Sequence, residues 1–381
     1  MRTCEVAVVG TGGIGSAAIH HLAARGADVM GLDRHHPPHD RGSSHGATRV
    51  IRQAYFEHPD YVPLLQRAYT LWSDLERQSR CALFHRVGVL QVGPESGAVF
   101  QGVLQSARVH GLDVETLGPE ELVLRFPRFR VPNNLSGVFE TDAGYLEVEA
   151  CIQAHLTCAK AAGARVVFDE AVNSFSRDGE GYRLETPAGS VLAGAVIWTT
   201  GAWAASAFPR LPLEVRRKVQ LWYEIEPHTS GGEDPAFLFE LPGGVFYGIP
   251  EASQGRTKVA EHTGGDIVSN PSDLDRQLHP SDHTRVDRFV DEHLAFTSSN
   301  RLLHSAPCMY TMSPDEHFMI GPLPDHPRFL LATGLSGHGF KFASALGEAV
   351  TEWILDGSPS TCLDAFDMNR SEIREKTCPT T

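Results

Sequence analysis

Glu5-Val6-Ala7-Val8-Val9-Gly10-Thr11-Gly12-Gly13-Ile14-Gly15 runs an apolar, β-branched segment straight into glycines at 10, 12 and 15. The apolar run predicts a buried parallel strand. The glycines have the G-x-G-x-x-G spacing of a dinucleotide turn. Gly10 permits the tight turn, Gly12 lets a pyrophosphate approach the backbone, and Gly15 lets a helix pack on the strand. Ser16 to Ala24 then reads as an alanine-rich helix closed by Gly26, and Ala27 to Leu32 is a second apolar run ending at Asp33. A helix N-terminus offers free N–H groups to phosphates, and Asp33 is placed for a ribose hydroxyl. The motif by itself does not separate FAD from NAD.

Working outward, 381 residues suggest two domains. A net charge of -14 argues against a nucleic-acid surface, which needs clustered Lys and Arg. No apolar run approaches the roughly 18 residues of a membrane span. The chain enters its first strand with no signal segment in front. The cysteines at 4, 81, 151, 158, 308, 362 and 378 are odd in number and form no C-x-x-C. A reduced, cytoplasmic protein is therefore expected.

After Asp33, the histidines at 35, 36 and 39 with Asp40 invite a metal reading. Pro37 and Pro38 impose an extended chain instead, and no metal is expected. Arg49 and Arg52 follow in a loop rich in Gly, Ser and His, beside the nucleotide motif. Asp60 is placed to cap a helix to about Gln78, with Leu64, Leu65, Ala68, Leu71, Trp72 and Leu75 as its core face. Val148 to Ala162 is a second helix, on which Cys151 and Cys158 read as packing. An apolar strand then leads into Thr200-Gly201-Ala202-Trp203, and such a strand end is where open α/β sheets hold ligands. From about 205 to 320, short strands with Gly/Pro turns suggest an antiparallel domain. In Arg256 to His262, alternation puts Lys258 and His262 on one face, and the pattern alone reads that face as solvent-facing. Phe329 to Phe342 returns to an apolar strand and a Gly-rich turn, in which Gly337 and Gly339 allow backbone to approach a ring or phosphate.

The fold class is thus α/β, α+β overall. A discontinuous Rossmann-like nucleotide domain (1–80, 145–205 and 320–381) is interleaved with an antiparallel-sheet substrate domain (81–144 and 206–319).

Four stretches carry a resemblance over nearly the whole chain: Gly42 to Arg52, Phe139 to Gly144, Cys308 to Phe318, and Gly334 to Ser344. In them the sequence resembles the monomeric sarcosine oxidase and N-methyltryptophan oxidase group of FAD-dependent amine oxidases. Residues 131–134 and 333–337 look closer to the N-methyltryptophan oxidases, and pipecolate oxidase is a third relative. The resemblance implies FAD held covalently through Cys308, which composition alone reads as one more buried thiol. It implies that Lys258 promotes reaction with O₂ and that Arg52 and Lys341 hold the substrate carboxylate. Tyr247 and His262 match active-site positions, and Arg49 and His45 match groups near the flavin face. Ser43 and Lys341 join the glycines, Asp33, Arg49 and Cys308 as expected cofactor contacts. Arg256 and Thr257 depart from the smaller residues usual before the lysine. The implied activity is oxidative demethylation of an N-methyl amino acid by a cytoplasmic monomer. A pipecolate-type oxidase, an FAD dehydrogenase with another acceptor, an NAD-dependent dehydrogenase and a nonenzymatic flavin-binding subunit remain open at this point.

Overall fold

The computed structural model describes residues 1–228, 233–370 and 373; Cys378 lies outside them. Strand β1 (Arg2–Val9) runs into helix α1 (Gly13–Ala24), which returns the chain to β2 (Val29–Leu32). β1 pairs in parallel with β2 on one side and with Gly189–Trp198 on the other. Its apolar run is continuous because both faces are covered. Val6 and Val8 pack under the helices, while Ala7 and Val9 pack with Trp198 and Phe329.

These strands belong to an eight-stranded sheet. Arg165–Val167 extends it beyond β2, and an antiparallel hairpin, Ser174–Asp178 with Gly181–Thr186, extends the first half of Gly189–Trp198. The second half of that strand pairs in parallel with His326–Thr333, so a late segment of chain is built in one strand away from β1. Three helices cover one face with α1: α2 (Val62–Ser79), Val148–Ala161 and Ala343–Asp356. Close approach needs small residues: a Cβ on Gly347 would stand 2.5 Å from that of Ala17 in α1.

All six apolar residues predicted for the α2 core face are buried. Asp60 is not the cap. A 3₁₀ turn, Pro59–Tyr61, precedes the helix, and the His58 side chain accepts the Asp60 N–H at 3.3 Å. Pro59 and Pro63 take early positions where no N–H is needed, so the turn and helix start from His58.

Strand β3 (Thr48–Ile51) pairs with Gly144–Glu147, which also holds Phe84–His85 in a three-stranded sheet. The remaining large sheet has nine strands. Glu214–Glu224 lies next to one edge of it, between Arg256–Glu261 and the long edge strand Leu302–Met312. The sheet is antiparallel except that Ala236–Leu241 runs parallel to Val89–Gly93. The chain between those two strands crosses through the other sheets, so the connection far exceeds the roughly dozen residues a parallel pair needs. Among the described residues, no helix is long and apolar enough to cross a membrane.

Candidate active site

The first turn is tightly specified. Gly10 has φ +86°, and a Cβ there would lie 2.7 Å from the Thr199 carbonyl oxygen. A Cβ on Gly15 would come within 1.9 Å of the Gly10 carbonyl oxygen. Gly15 therefore serves helix–strand packing and does not line the cavity, unlike the expected cofactor contact. Gly12 is different: a Cβ there meets only Ser44 Oγ, at 3.8 Å, because this residue faces open space.

That space is a cavity of about 370 Å³ at the carboxyl ends of the parallel strands. Gly10, Gly12, Asp33, Ser43, Arg49, Gly337 and Gly339 all line it. Among the described residues no side chain caps α1, so its first N–H groups remain for an anion; of these, only the Gly13 N–H has a partner there, Ser44 Oγ at 3.3 Å. Asp33 Oδ2 accepts from the Thr11 N–H at 2.6 Å and the Thr11 hydroxyl at 3.0 Å. Burial opposes its charge, but His39 and the N–H groups of His35 and Thr11 hold its pKa below the usual range. A carboxylate fixed in this way is a ready acceptor for a ribose hydroxyl. On the walls, Trp203 Nε1 and Thr333 Oγ1 are buried with no partner among the described residues. A dinucleotide's polar atoms would satisfy both. The cradle fits FAD.

A second cavity, about 80 Å³, adjoins the first and shares Arg49, Tyr310, Gly337 and Phe340 with it. Arg52, Lys341, Tyr247 and His262 line it, against an apolar wall of Phe56, Phe237 and Leu238. Two buried cations thus stand on one small cavity. Arg52 Nε donates to Gln91 Oε1 at 2.9 Å, and its Nη2 pairs with Glu57 at 3.0 Å. Its guanidinium also lies 4.3 Å from the centre of the Tyr55 ring. The carboxylate that Arg52 holds here is therefore that of Glu57. Lys341 Nζ donates to the His338 carbonyl at 2.8 Å and to Tyr55 Oη at 3.3 Å. Burial, helped by the Arg52 charge, pushes its pKa down to about 7. His262 Nδ1 lies 3.4 Å from Tyr310 Oη, and burial holds its pKa down at about 3, so the ring is neutral.

His45, Arg49, Lys258 and Cys308 cluster where the cavities meet. Arg49 Nη2 donates to the Ser43 carbonyl at 2.9 Å and lies 3.8 Å from Cys308 Sγ. Burial raises the Cys308 pKa, but His45 and Arg49 beside it more than offset that and bring it down to about 7. A thiol ionised near neutrality is a nucleophile. Lys258 is 0% exposed, which overturns the solvent-facing reading of its strand face. Its Nζ donates to the carbonyls of Gly46, at 3.0 Å, and Thr48. The loop before β3 folds over that face of the nine-stranded sheet and covers it. Burial and the neighbouring Arg49 push the Lys258 pKa well below its ordinary value. Lys258, His45 and Cys308 line neither cavity wall, though Arg49 beside Cys308 lines both.

Sequence reasoning missed Glu57, Tyr55, His338 and Tyr310. Tyr310 had a signal, since it lies two residues from Cys308 on one strand face. The other three have none: Glu57 meets Arg52 within one irregular loop, and Tyr55 meets His338 from 283 residues away.

Residues 5–353 match the family model described as FAD dependent oxidoreductase. N-methyl-L-tryptophan oxidase of Salmonella agona (strain SL483) is 37% identical over 96% of this chain and 98% of its own. The enzyme of that name from Escherichia coli O157:H7 (strain EC4115 / EHEC) is 38% identical over 96% of this chain and 99% of its own. The open form of NikD, an unusual amino acid oxidase essential for nikkomycin biosynthesis, superposes with a TM-score of 0.86 at 22% identity. That match covers 96% of this chain and 98% of NikD and shows the shared fold. With that family model matching residues 5–353 and a relative 37% identical over 96% of this chain's length, the chain belongs to the FAD dependent oxidoreductase family.

Proposed function

We propose that this chain oxidises N-methyl L-amino acids, such as N-methyl-L-tryptophan or sarcosine, with O₂. The amine, O₂ and water give the demethylated amino acid, formaldehyde and H₂O₂. The observation that carries the reading is the pair of buried cations, Arg52 and Lys341, on a cavity adjoining the nucleotide cradle. A planar guanidinium and a point charge together suit a carboxylate. The relatives named N-methyl-L-tryptophan oxidase support the amine.

Bound FAD supplies the two-electron oxidation. The residues of the chain do the rest. Arg52 and Lys341 fix the carboxylate, which holds the N–CH₃ group in one place. Glu57 must release Arg52 as the carboxylate arrives. The Phe56, Phe237 and Leu238 wall excludes water and favours the neutral amine. Tyr247 and the neutral His262 offer polar contacts without a second charge. Cys308, with its lowered pKa, is the group through which FAD is covalently attached. Lys258 holds a proton, and with it a positive charge, at Nζ near the place where O₂ must gain charge. The same reading makes the enzyme a cytoplasmic monomer.

An anaerobic bleaching screen tests this. Sarcosine, N-methyl-L-tryptophan, other N-methyl amino acids and L-pipecolate are mixed with the yellow protein, each as free acid and as methyl ester. Rapid bleaching by an N-methyl acid, with H₂O₂ on readmitting air, is expected. Preference for L-pipecolate makes the enzyme a cyclic amino acid oxidase. Bleaching without H₂O₂ makes it a dehydrogenase.

A further inference from the structure

Tyr55 is fully buried and is absent from both cavity walls, yet both cations of the second cavity rest on it. The Arg52 guanidinium lies 4.3 Å and the Lys341 ammonium 5.1 Å from its ring centre. Its hydroxyl oxygen lies 2.7 Å from His338 Nδ1 and 3.3 Å from Lys341 Nζ.

The direction of each hydrogen bond follows from one fixed point. His338 Nε2 is 3.1 Å from the carbonyl oxygen of Glu316, and a carbonyl only accepts. Nε2 therefore carries the hydrogen. Burial, with Lys341, Arg52 and His317 nearby, keeps the ring neutral, so Nδ1 accepts. The Tyr55 O–H must then point at Nδ1. Its oxygen can only accept from Lys341. The His338 main-chain carbonyl, 2.8 Å from Nζ, also accepts. Lys341 thus meets two acceptors and no donor, an arrangement that favours the ammonium and leaves one N–H over.

We infer that Tyr55 and His338 are positioning residues: they hold Lys341 as an ammonium with one N–H reserved for the carboxylate of the substrate. The inference rests on the carboxylate role proposed above. The opposing influences are burial, Arg52 and Arg49, with Glu57 acting the other way. His262 and His338, which also face the ammonium, are neutral. Removing one acceptor from a site so balanced should change the protonation of Lys341 in the physiological range.

The test is the pH dependence of binding of indole-3-propanoate, a carboxylate without the amine, read from the flavin absorbance of the holoenzyme between pH 6 and 9. Indole-3-propanamide is the uncharged control. In the wild type, acid binding should weaken above about pH 7, where Lys341 loses its proton. Tyr55→Phe keeps the ring under both cations and removes only the hydroxyl. It should move the inflection down by about one pH unit and weaken acid binding about tenfold at pH 8, with little change at pH 6 or for the amide. His338→Asn, which keeps the main-chain carbonyl, should shift the inflection the same way and serves if Tyr55→Phe does not fold. An unmoved inflection in a variant with a normal flavin spectrum overturns the inference. So does a further loss when Tyr55→Phe is added to Lys341→Met, because a residue acting through Lys341 has nothing left to act on. If the wild type binds acid and amide equally, the carboxylate subsite itself is wrong, and this inference goes with it.

Discussion

Replacing Lys258 by Met removes a fully buried charge while keeping length and apolar bulk. Lys258 Nζ is held by the Gly46 carbonyl at 3.0 Å and by that of Thr48, so the group is fixed in position. A unit charge about 5–6 Å from a forming anion, at an effective dielectric near 20, is worth about 3 kcal/mol. That corresponds to a rate factor on the order of 10², within the usual range for loss of one electrostatic stabiliser. The fold should survive. Two carbonyls lose a donor, at about 1–3 kcal/mol for a buried unsatisfied group, and the desolvation cost of a buried ammonium disappears at the same time. Stopped-flow absorbance separates the half-reactions. Bleaching by the amine under nitrogen should be near normal in Lys258→Met, and recovery of colour on mixing with O₂ should slow by about 10². Because burial and Arg49 depress the Lys258 pKa, wild-type recovery should also slow as pH rises and the proton leaves, whereas the mutant profile should be flat. Normal recovery in the mutant would refute the oxygen role. Slow bleaching with normal recovery would make Lys258 a substrate-positioning group instead.

Two further outcomes are expected. After acid precipitation, yellow colour should stay with wild-type protein and be lost from Cys308→Ala; colour in the wild-type supernatant would show that FAD is not attached through Cys308. His20, His21 and His155 pack together with ring centres 5.3 and 5.5 Å apart, and burial lowers the pKa of each, that of His21 to about 4. They stay neutral when folded and take up protons when unfolded, so their stability contribution is complete above about pH 6.5 and is lost as pH falls toward 4. His21 alone accounts for on the order of 3 kcal/mol across that window, and urea unfolding of His155→Phe should show a shallower acid loss than the wild type.

Which parts of this molecule were legible in the sequence depends on the range over which each feature is encoded. The strand–turn–helix at Val6 to Ala24 is written in adjacent residues, because a continuous apolar run, a glycine spacing and an alanine-rich stretch are all local. The core face of α2 is local in the same sense, and its predicted apolar residues are buried. Cap placement before α2 was less secure, since His58 and Asp60 are both possible acceptors and only the folded turn chooses between them. The parallel pairing of Ala236–Leu241 with Val89–Gly93 was not legible at all, since register across so long a connection leaves no periodic trace.

The site is least legible where its chemistry is set. Alternation placed Lys258 and His262 on one face, but a period gives orientation and not burial. The solvent-facing reading fell because the Gly46–Thr48 backbone, more than 200 residues away in sequence, covers that face with two carbonyls. Cys308 likewise looks inert in its own strand and becomes acidic only beside His45 and Arg49. Tyr55 and His338, 283 residues apart, set the hydrogen-bond direction around Lys341. Each of these groups takes its protonation in part from partners on the segment around β3 that packs against it. A substitution that shifts this segment by a few tenths of an ångström would leave every motif intact in the sequence. It would still change the charge on Lys258, Lys341 and Cys308 together, because the groups that tune them hang from the same short segment, His45 to Tyr55.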